Sequence, residues 1–274
     1  TVRSPHDNIG SMHEAINNHE FVLYYQPKVN MKTGEVIGVE ALIRWQHPER
    51  GILPPIEFLP LIEHHDISID LGNWVFDAVF KQINSWNEIG ITMPVSINVS
   101  SLQIQQPTFV KDLLSKIENY PNIIQNGIEI EILETSALSD LSQTSQVIQG
   151  CIKHGIKASI DDFGTGYSTL TYLKRLPVDY LKIDKSFVLE MLDNPDDLAI
   201  LTGILSLSKA FKRQAIAEGV ESIAHGQALL DLNCELAQGY AIAFPMPAED
   251  IPMWLSNWRA PDSWSKRSLE LLES

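Results

Sequence analysis

The chain has 274 residues, 44% of them apolar and 20% charged, which is enough hydrophobic material for a sizeable core and enough length for one barrel or two small domains. Wholesale disorder is therefore excluded, and a formal charge of −15 speaks against a general binder of nucleic-acid backbones or anionic membranes. An acid surplus reads either as a solvated surface or as carboxylates gathered where metal ions offset them.

In chain order, residues 1–20 form a lead-in, and runs of β-branched and aliphatic residues predict strands at Phe21–Gln26 and Val36–Leu42. Lys32-Thr33-Gly34 is a turn signal, and the interval between these strands is too short for a helical crossover, so the pair is expected to be antiparallel. Pro54-Pro55 is expected to open a helix containing Phe58 and Leu61. His64-His65-Asp66 follows that apolar stretch and reads as a solvated helix end rather than a metal cluster. Amphipathic periodicity predicts helices at Ile69–Ile89, Phe109–Ile117, Gln146–His154 and Leu198–Phe211, the last announced by Asn194, Pro195, Asp196 and Asp197. Further strands are predicted at Val95–Asn98, Ile128–Ile132, Ala158–Asp161, Tyr180–Ile183, Ala215–Glu218 and Glu235–Gln238. Trp45, Trp74 and Trp86 sit among aliphatics and are expected to pack. Strands alternating with helices over this length predict an α/β chain. Its architecture is expected to be a TIM-like (β/α)8 barrel over residues 21–258, irregular in an antiparallel first strand, with a packed or extruded tail over residues 259–274.

In such barrels chemistry gathers where strands end. Glu40 lies near the end of the second predicted strand, Asn98 ends the third, Glu131 is near the end of the fourth, and Asp161 with Asp162 closes the fifth. Lys182 belongs to the sixth, Glu218 to the seventh and Gln238 to the eighth. A single acid at a strand end reads as a cap or a surface charge. Seven strands delivering polar groups to one rim read as a site. Oxygen donors with neither His nor Cys suit Mg²⁺ or Mn²⁺ rather than zinc, and five carboxylates on one rim repel unless cations are present. Two ions, bridged by Asp161 or Asp162, would activate a water and stabilise the leaving oxygen of a phosphoryl centre. Lys182 would orient that water or offset transition-state charge, or else forms a structural ion pair in the barrel mouth; spacing favours neither.

The segment Asp161-Asp162-Phe163-Gly164-Thr165-Gly166-Tyr167-Ser168 sets two glycines after two acids, which lets a loop fold over a ligand or switch conformation. No Walker-type phosphate loop, dinucleotide fingerprint or G-x-S-x-G elbow is present, which counts against serine-hydrolase chemistry. Cys151 and Cys234 lie far apart with no His pair nearby, so neither a disulfide framework nor a zinc site is expected, and a reducing compartment fits. No apolar run reaches the about 18 residues of a membrane span; Leu198–Phe211 is broken by Thr202, Ser206, Ser208 and Lys209. No leader pattern opens the chain. Because it begins at Thr1 rather than Met, it is expected to be a piece of a longer protein.

Taken together, these residues resemble the EAL-domain family of cyclic di-GMP phosphodiesterases. The naming tripeptide is Glu40-Ala41-Leu42, followed by Ile43-Arg44-Trp45 and preceded by Gln26-Pro27-Lys28. Then come Asn98-Val99-Ser100, Glu131-Ile132-Leu133-Glu134, the Asp161–Ser168 segment, Lys182-Ile183-Asp184, Ala217-Glu218-Gly219-Val220-Glu221 and Gln238-Gly239-Tyr240. The resemblance runs in order from Phe21 to Trp254. It implies Glu40, Asn98, Glu131 and Asp161 as metal ligands, with Asp162 and Glu218 serving a second Mg²⁺ or Mn²⁺ ion. It implies Lys182 as the group that positions the attacking water, with Glu218 sharing in catalysis. Glu134 is implied as the anchor of the glycine-containing loop, which in the family couples metal binding to dimerisation. Gln238 is implied at the site, Arg44 on a substrate phosphate, and Gln26 beside the guanine pocket. The implied reaction is hydrolysis of cyclic di-GMP to linear pGpG by a metal-activated water, in a cytoplasmic homodimer flanked by sensory or diguanylate-cyclase domains. Neither long nucleic acids nor direct membrane contact is expected of this segment.

Two positions depart from the family pattern. Leu133 stands where many relatives carry Thr and is expected to alternate away from Glu131. Phe244 stands where Arg is common, a loss of charge expected to weaken substrate affinity or a local ion pair. The alternatives are a non-catalytic cyclic di-GMP receptor or regulatory dimerisation module, and a metal-dependent hydrolase of another phosphodiester. Degenerate relatives lack one or more of the acids, all of which are present here.

Overall fold

The computed structural model describes residues 5–120, 123, 127–165 and 170–265. Ten strands form one sheet: β1 (Phe21–Asn30), β2 (Val36–His47), β3 (Gly51–Leu53), β4 (Val95–Val99), β5 (Ile128–Leu133), β6 (Lys157–Phe163), β7 (Tyr180–Ile183), β8 (Gln214–Ala217), β9 (Leu236–Ala237) and β10 (Met246–Pro247). From β2 the parallel ladder runs through β4, β5, β6, β7, β8 and β9, and β1 closes the ring by pairing antiparallel with both β9 and β2. The result is the expected TIM-like barrel with one antiparallel strand. The short β3 and β10 extend β2 and β1 beyond the ring.

The reason for the reversed strand is visible in the hairpin. Asn30 Oδ1 accepts from the amides of Lys32 and Thr33, and Gly34 takes φ +76°, a conformation that glycine adopts without steric cost. The two arms then pair from Phe21↔Trp45 to Val29↔Val36. β1 runs on past its predicted end at Gln26 within the wall, where Val29 and Asn30 pair with β9, and β2 runs on past Leu42 beyond the wall, where it pairs with the start of β1 and with β3. In β4, β5 and β6 every second residue (Val95, Ile97, Val99; Ile128, Ile130, Ile132; Ala158, Ile160) belongs to the apolar core. The helices Ile67–Glu88, Phe109–Glu118, Leu141–Lys153 and Pro195–Ala210 supply its outer half through residues such as Phe76, Phe80, Leu113, Ile148 and Leu201. Residues between those aliphatics share the opposite face, the barrel lumen.

Helix starts follow their capping chemistry. Asn194 caps Pro195–Ala210 by accepting from the Asp196 amide, and Ser100 with Gln103 forms a capping box on Ser101–Ile104. The helix expected from Gln146 begins at Leu141, because the Asp140 side chain caps it. Pro54-Pro55 opens a 3₁₀ turn at Pro55–Glu57, and a separate short helix follows at Leu59–Ile62, with Phe58 buried between them. This differs from the single helix expected, because Phe58 takes a non-helical conformation and turns into the core. His64, His65 and Asp66 are exposed in the turn before Ile67–Glu88. Trp45 and Trp86 are buried, their indole N–H groups donating to Glu20 and to the Ala248 carbonyl, and Trp74 packs on Phe21.

The helix Pro5–Asn17 packs on Ile67–Glu88 and buries Met12 and Ala15. At the other end Trp264 is buried against Gly226, where a Cβ would lie 2.4 Å from the indole. No helix among the described residues is long and apolar enough to cross a membrane.

Candidate active site

Strand alternation lines the lumen with polar pairs two residues apart: Gln26 and Lys28 on β1, Ser96 and Asn98 on β4, Glu129 and Glu131 on β5, Ser159 and Asp161 on β6. The upper member of each pair lies nearer the rim where the parallel strands end. Glu40, Glu131, Asp161 and Gln238 are buried there, and Lys182 has no solvent exposure. Lys182 Nζ is 2.6 Å from Glu131 Oε2, 2.8 Å from Glu218 Oε1, 3.0 Å from Asp161 Oδ1 and 3.2 Å from Glu40 Oε2. One ammonium therefore serves four carboxylates, three delivered by β2, β5 and β6 and the fourth by the residue that follows β8.

Glu218 and Gln238 follow β8 and β9 rather than ending them, yet both stay fixed. The Glu218 amide donates to the Ile183 carbonyl at 3.2 Å and the Gln238 amide to the Ala217 carbonyl at 2.9 Å. Asp161 and Asp162 pose a harder problem, since consecutive strand residues point to opposite faces. The ladder between β6 and β7 shifts register between Ile160 and Phe163, and Asp162 takes φ +53°. This bulge brings both carboxylates to one site. Oxygens of Glu40, Glu131 and Asp161 lie within 4.8 Å of one another, as do those of Asp161, Asp162 and Glu218. Asp161 is common to both groups.

The electrostatics follow from burial and from the lysine. Burial alone raises the Glu40 carboxyl, but the Lys182 ammonium and hydrogen bonds from Asn98 and Gln238 outweigh it and hold it at about 2. Glu131 is pushed up to about 7 by burial and by the neighbouring Glu40 charge, against the pull of both lysines. Asp162 also reaches about 7, through burial and the charges of Asp161 and Asp184. Burial raises Asp161, and lifts Glu218 well above the usual carboxylate range. Lys182 is held protonated by its carboxylates despite its burial.

Amides brace this cluster. Asn98, exposed at the rim, donates Nδ2 to Glu40 Oε1 at 2.8 Å. Gln238 Nε2 donates to Glu40 Oε2 at 2.8 Å and to Gln26 Oε1 at 2.9 Å, while Gln26 Nε2 donates to the Ala243 carbonyl at 2.9 Å. The reverse Gln238 rotamer would set its oxygen against the Glu40 carboxylate, so the chain of donors fixes its orientation. Its Oε1 is then buried without a hydrogen-bond donor among the described residues. Buried Glu134 accepts the Gly164 amide through Oε2 at 2.9 Å, at the start of the loop after β6. Gly166, Tyr167 and Ser168 of that loop lie outside the described residues.

Not every sequence-derived residue joins the cluster. Arg44 is four residues beyond Glu40 on the same strand face, about 13 Å along it. There its guanidinium sits 5.4 Å from the Tyr24 ring centroid and donates to the Ile43 carbonyl. Gln26 is 8% exposed with its amide engaged at both ends, so it meets the site through Gln238. Leu133 does not alternate away from Glu131 as expected: two residues further along β5 it falls on the same strand face, beside Asp161 in the ladder, and is half-buried. Phe244 stacks on Tyr240 at 4.4 Å between centroids, and both rings are exposed. Sequence reasoning overlooked Asp184, hydrogen-bonded to Asp162, and the layer of Lys28, Ser96 and Glu129 beneath the rim. The signal for that layer was present in the alternation Ile128-Glu129-Ile130-Glu131, which puts both glutamates on one face. A separate cavity of about 570 Å³, lined in part by Lys209, Arg213, Cys234 and Glu235, opens at the opposite end of β8 and β9 and shares no residue with the cluster.

A family model described as the EAL domain matches residues 10–245. The chain is 36% identical over 241 residues to the bifunctional diguanylate cyclase/cyclic di-GMP phosphodiesterase MucR of Pseudomonas aeruginosa, an alignment covering 88% of this chain and 35% of that protein. It is 34% identical over 248 residues to the cyclic di-GMP phosphodiesterase PdeR of Escherichia coli, covering 90% of this chain and 37% of that protein. The chain thus spans little more than a third of the length of these curated relatives. A solved complex of the PaMucR phosphodiesterase with c-di-GMP superposes with a TM-score of 0.85 at 36% identity, over 89% of this chain and 99% of that one.

Proposed function

This chain belongs to the EAL-domain family, and on that premise we propose that it is a metal-dependent phosphodiesterase that hydrolyses cyclic di-GMP to linear pGpG. The observation that carries the reading is the pair of carboxylate groups sharing Asp161. Their donor chemistry fits two Mg²⁺ or Mn²⁺ ions: all oxygen, with five rim carboxylates (Glu40, Glu131, Asp161, Asp162, Glu218) around one ammonium group (Lys182). Glu40, Asn98, Glu131 and Asp161 would hold one ion, and Asp162 and Glu218, with Asp161, the other. When bound, the ions supply a nucleophilic water at neutral pH and offset charge on the phosphoryl oxygens.

The chain's own groups do the rest. Lys182, protonated and anchored by carboxylates on four sides, orients the attacking water and offsets charge that develops on the phosphoryl group. Glu218, placed between Lys182 and the Asp161–Asp162 bulge, shares in that positioning. Gln238 holds Glu40 in place, and Gln26 holds Gln238 against Ala243, beside the guanine pocket. Arg44 over Tyr24 offers a cation at the mouth to a substrate phosphate, in a protein whose net charge otherwise repels the nucleotide. Glu134 keeps the loop after β6 in position through the Gly164 amide.

The same reading includes a homodimer coupled to that loop, a cytoplasmic setting, and sensory or cyclase domains flanking this segment. The test is chromatography of cyclic di-GMP incubated with purified protein and Mg²⁺ or Mn²⁺, beside a chelated control. Metal-dependent pGpG supports the enzyme; tight binding of intact nucleotide with no product would make the protein a receptor instead.

A further inference from the structure

One layer below the rim, the lumen holds a second buried lysine that the proposed chemistry leaves unused. Lys28 is 2% exposed, and its Nζ meets Ser96 Oγ, Glu129 Oε1 at 3.1 Å and Glu131 Oε1 at 3.3 Å. Each of its three donors thus has an acceptor within this layer or at Glu131. Ser96 and Glu129 are buried as fully, at 1% and 3% exposure. Glu131, which has no exposure, spans both layers: Lys182 takes Oε2 at 2.6 Å and Lys28 takes Oε1 at 3.3 Å. With one lysine on each oxygen, the plane of this carboxylate is set from above and from below.

We propose that Lys28, held by Ser96 and Glu129, is a positioning residue that fixes Glu131 for cation binding by gripping the oxygen that Lys182 leaves. The proposal rests on the reading of Glu40, Glu131 and Asp161 as a cation site. Stability alone does not account for the arrangement. A buried ion pair costs desolvation that well-packed apolar residues of similar volume avoid. This pair is buried directly beneath a ligand, where partners of a ligand set its orientation and its affinity for metal. A purely electrostatic role is also distinguishable. Lys28 and Glu129 cancel, so removing both leaves the charge of the lumen unchanged and deletes only the grip on Glu131.

The deciding variant is therefore Lys28→Met/Glu129→Gln in the purified chain, with Mn²⁺ as the probe and no nucleotide present. Free Mn²⁺ is read by its electron paramagnetic resonance signal across a titration, beside a thermal melt of each protein. The expected result is a roughly tenfold weaker Mn²⁺ dissociation constant, with kcat at saturating Mn²⁺ and the KM for cyclic di-GMP both within about threefold of the parent. Ser96→Ala, a milder change that loosens Lys28 without touching a charge, should weaken Mn²⁺ by two- to threefold and serves if the double variant does not fold. Unaltered Mn²⁺ affinity in a folded variant overturns the role of Lys28 and leaves the cation site standing. A parent protein that binds no Mn²⁺ overturns both.

Discussion

Replacing Lys182 with Met tests whether this ammonium is the counter-ion on which the rim depends. The residue is fully buried, with four carboxylate oxygens between 2.6 and 3.2 Å away. At an effective dielectric of about 20, unit charges about 3 Å apart attract by about 5–6 kcal/mol. The four contacts do not sum, because the carboxylates repel one another and the lysine is desolvated. The net loss is the about 3–5 kcal/mol that follows removal of one partner from a buried pair. For a domain of this size that lowers the melting temperature by roughly 10 °C. The deficit should depend on pH with a definite sign. Without the lysine the clustered carboxyls rise further, so the folded state holds more protons than the unfolded chain. Stability therefore falls as pH rises from about 5 to 8. Melts of the chelated protein at pH 5.5 and pH 8 should show a small deficit at the first and the full one at the second, with added Mn²⁺ restoring much of it. A chelated Lys182→Met protein melting within about 2 °C of the parent at pH 8 would refute the counter-ion argument.

Four further outcomes are expected. Glu40→Ala or Asp161→Ala should lower turnover by about a thousandfold or more while the far-ultraviolet circular dichroism stays the same, each losing a ligand; normal hydrolysis by either variant removes it from the ligand set. Glu134→Ala frees the Gly164 amide and should cost about tenfold in kcat with a change in sedimentation, whereas an unaltered rate and profile count against a loop anchor. Glu131 and Asp162 must lose protons to hold cations, and both stand at about 7, so the Mn²⁺ concentration for half-maximal activity should rise at least tenfold from pH 8 to pH 6; a flat profile contradicts those shifts. Asp162→Asn, a residue that tolerates positive φ, should raise the melting temperature of chelated protein by a few degrees at pH 8 and leave it unchanged at pH 5.5, where Asp162 is already neutral.

Much of the architecture was legible because its causes are local. The Lys32-Thr33-Gly34 turn leaves no room for a crossover, so the antiparallel first strand follows from chain length alone. The alternation through Ile128-Glu129-Ile130-Glu131 separates a core face from a polar face without any knowledge of neighbours. Errors arose where tertiary context overrides the local pattern. Phe58 breaks the helix expected after Pro54-Pro55 because its ring goes to Phe21 and Trp45. The hairpin arms outrun their hydrophobic runs because β1 continues to its closure on β9 and β2 continues beyond the ring to pair with β1 and β3. Arg44 and Glu40 sit close in sequence yet are separated along one strand face, a distance that a list of motif residues conceals.

The candidate site was readable as a set of residue types but not as a geometry, and Asp161-Asp162 shows why. As a regular strand, β6 would aim one of these carboxylates into the lumen and the other at the surrounding helices. Only the bulge, with its register shift and the φ of +53° at Asp162, turns both inward. That conformation is unfavourable for a residue with a Cβ, and it brings together carboxyls whose pKa values are raised first by burial and then by neighbouring carboxylate charge. The strain and the repulsion persist because the stability of the barrel is secured elsewhere, in the aliphatic layer between strands and helices. A lumen that is not needed for the apolar core can carry charge, and the fold then places that charge where an anionic phosphodiester and its cations would meet.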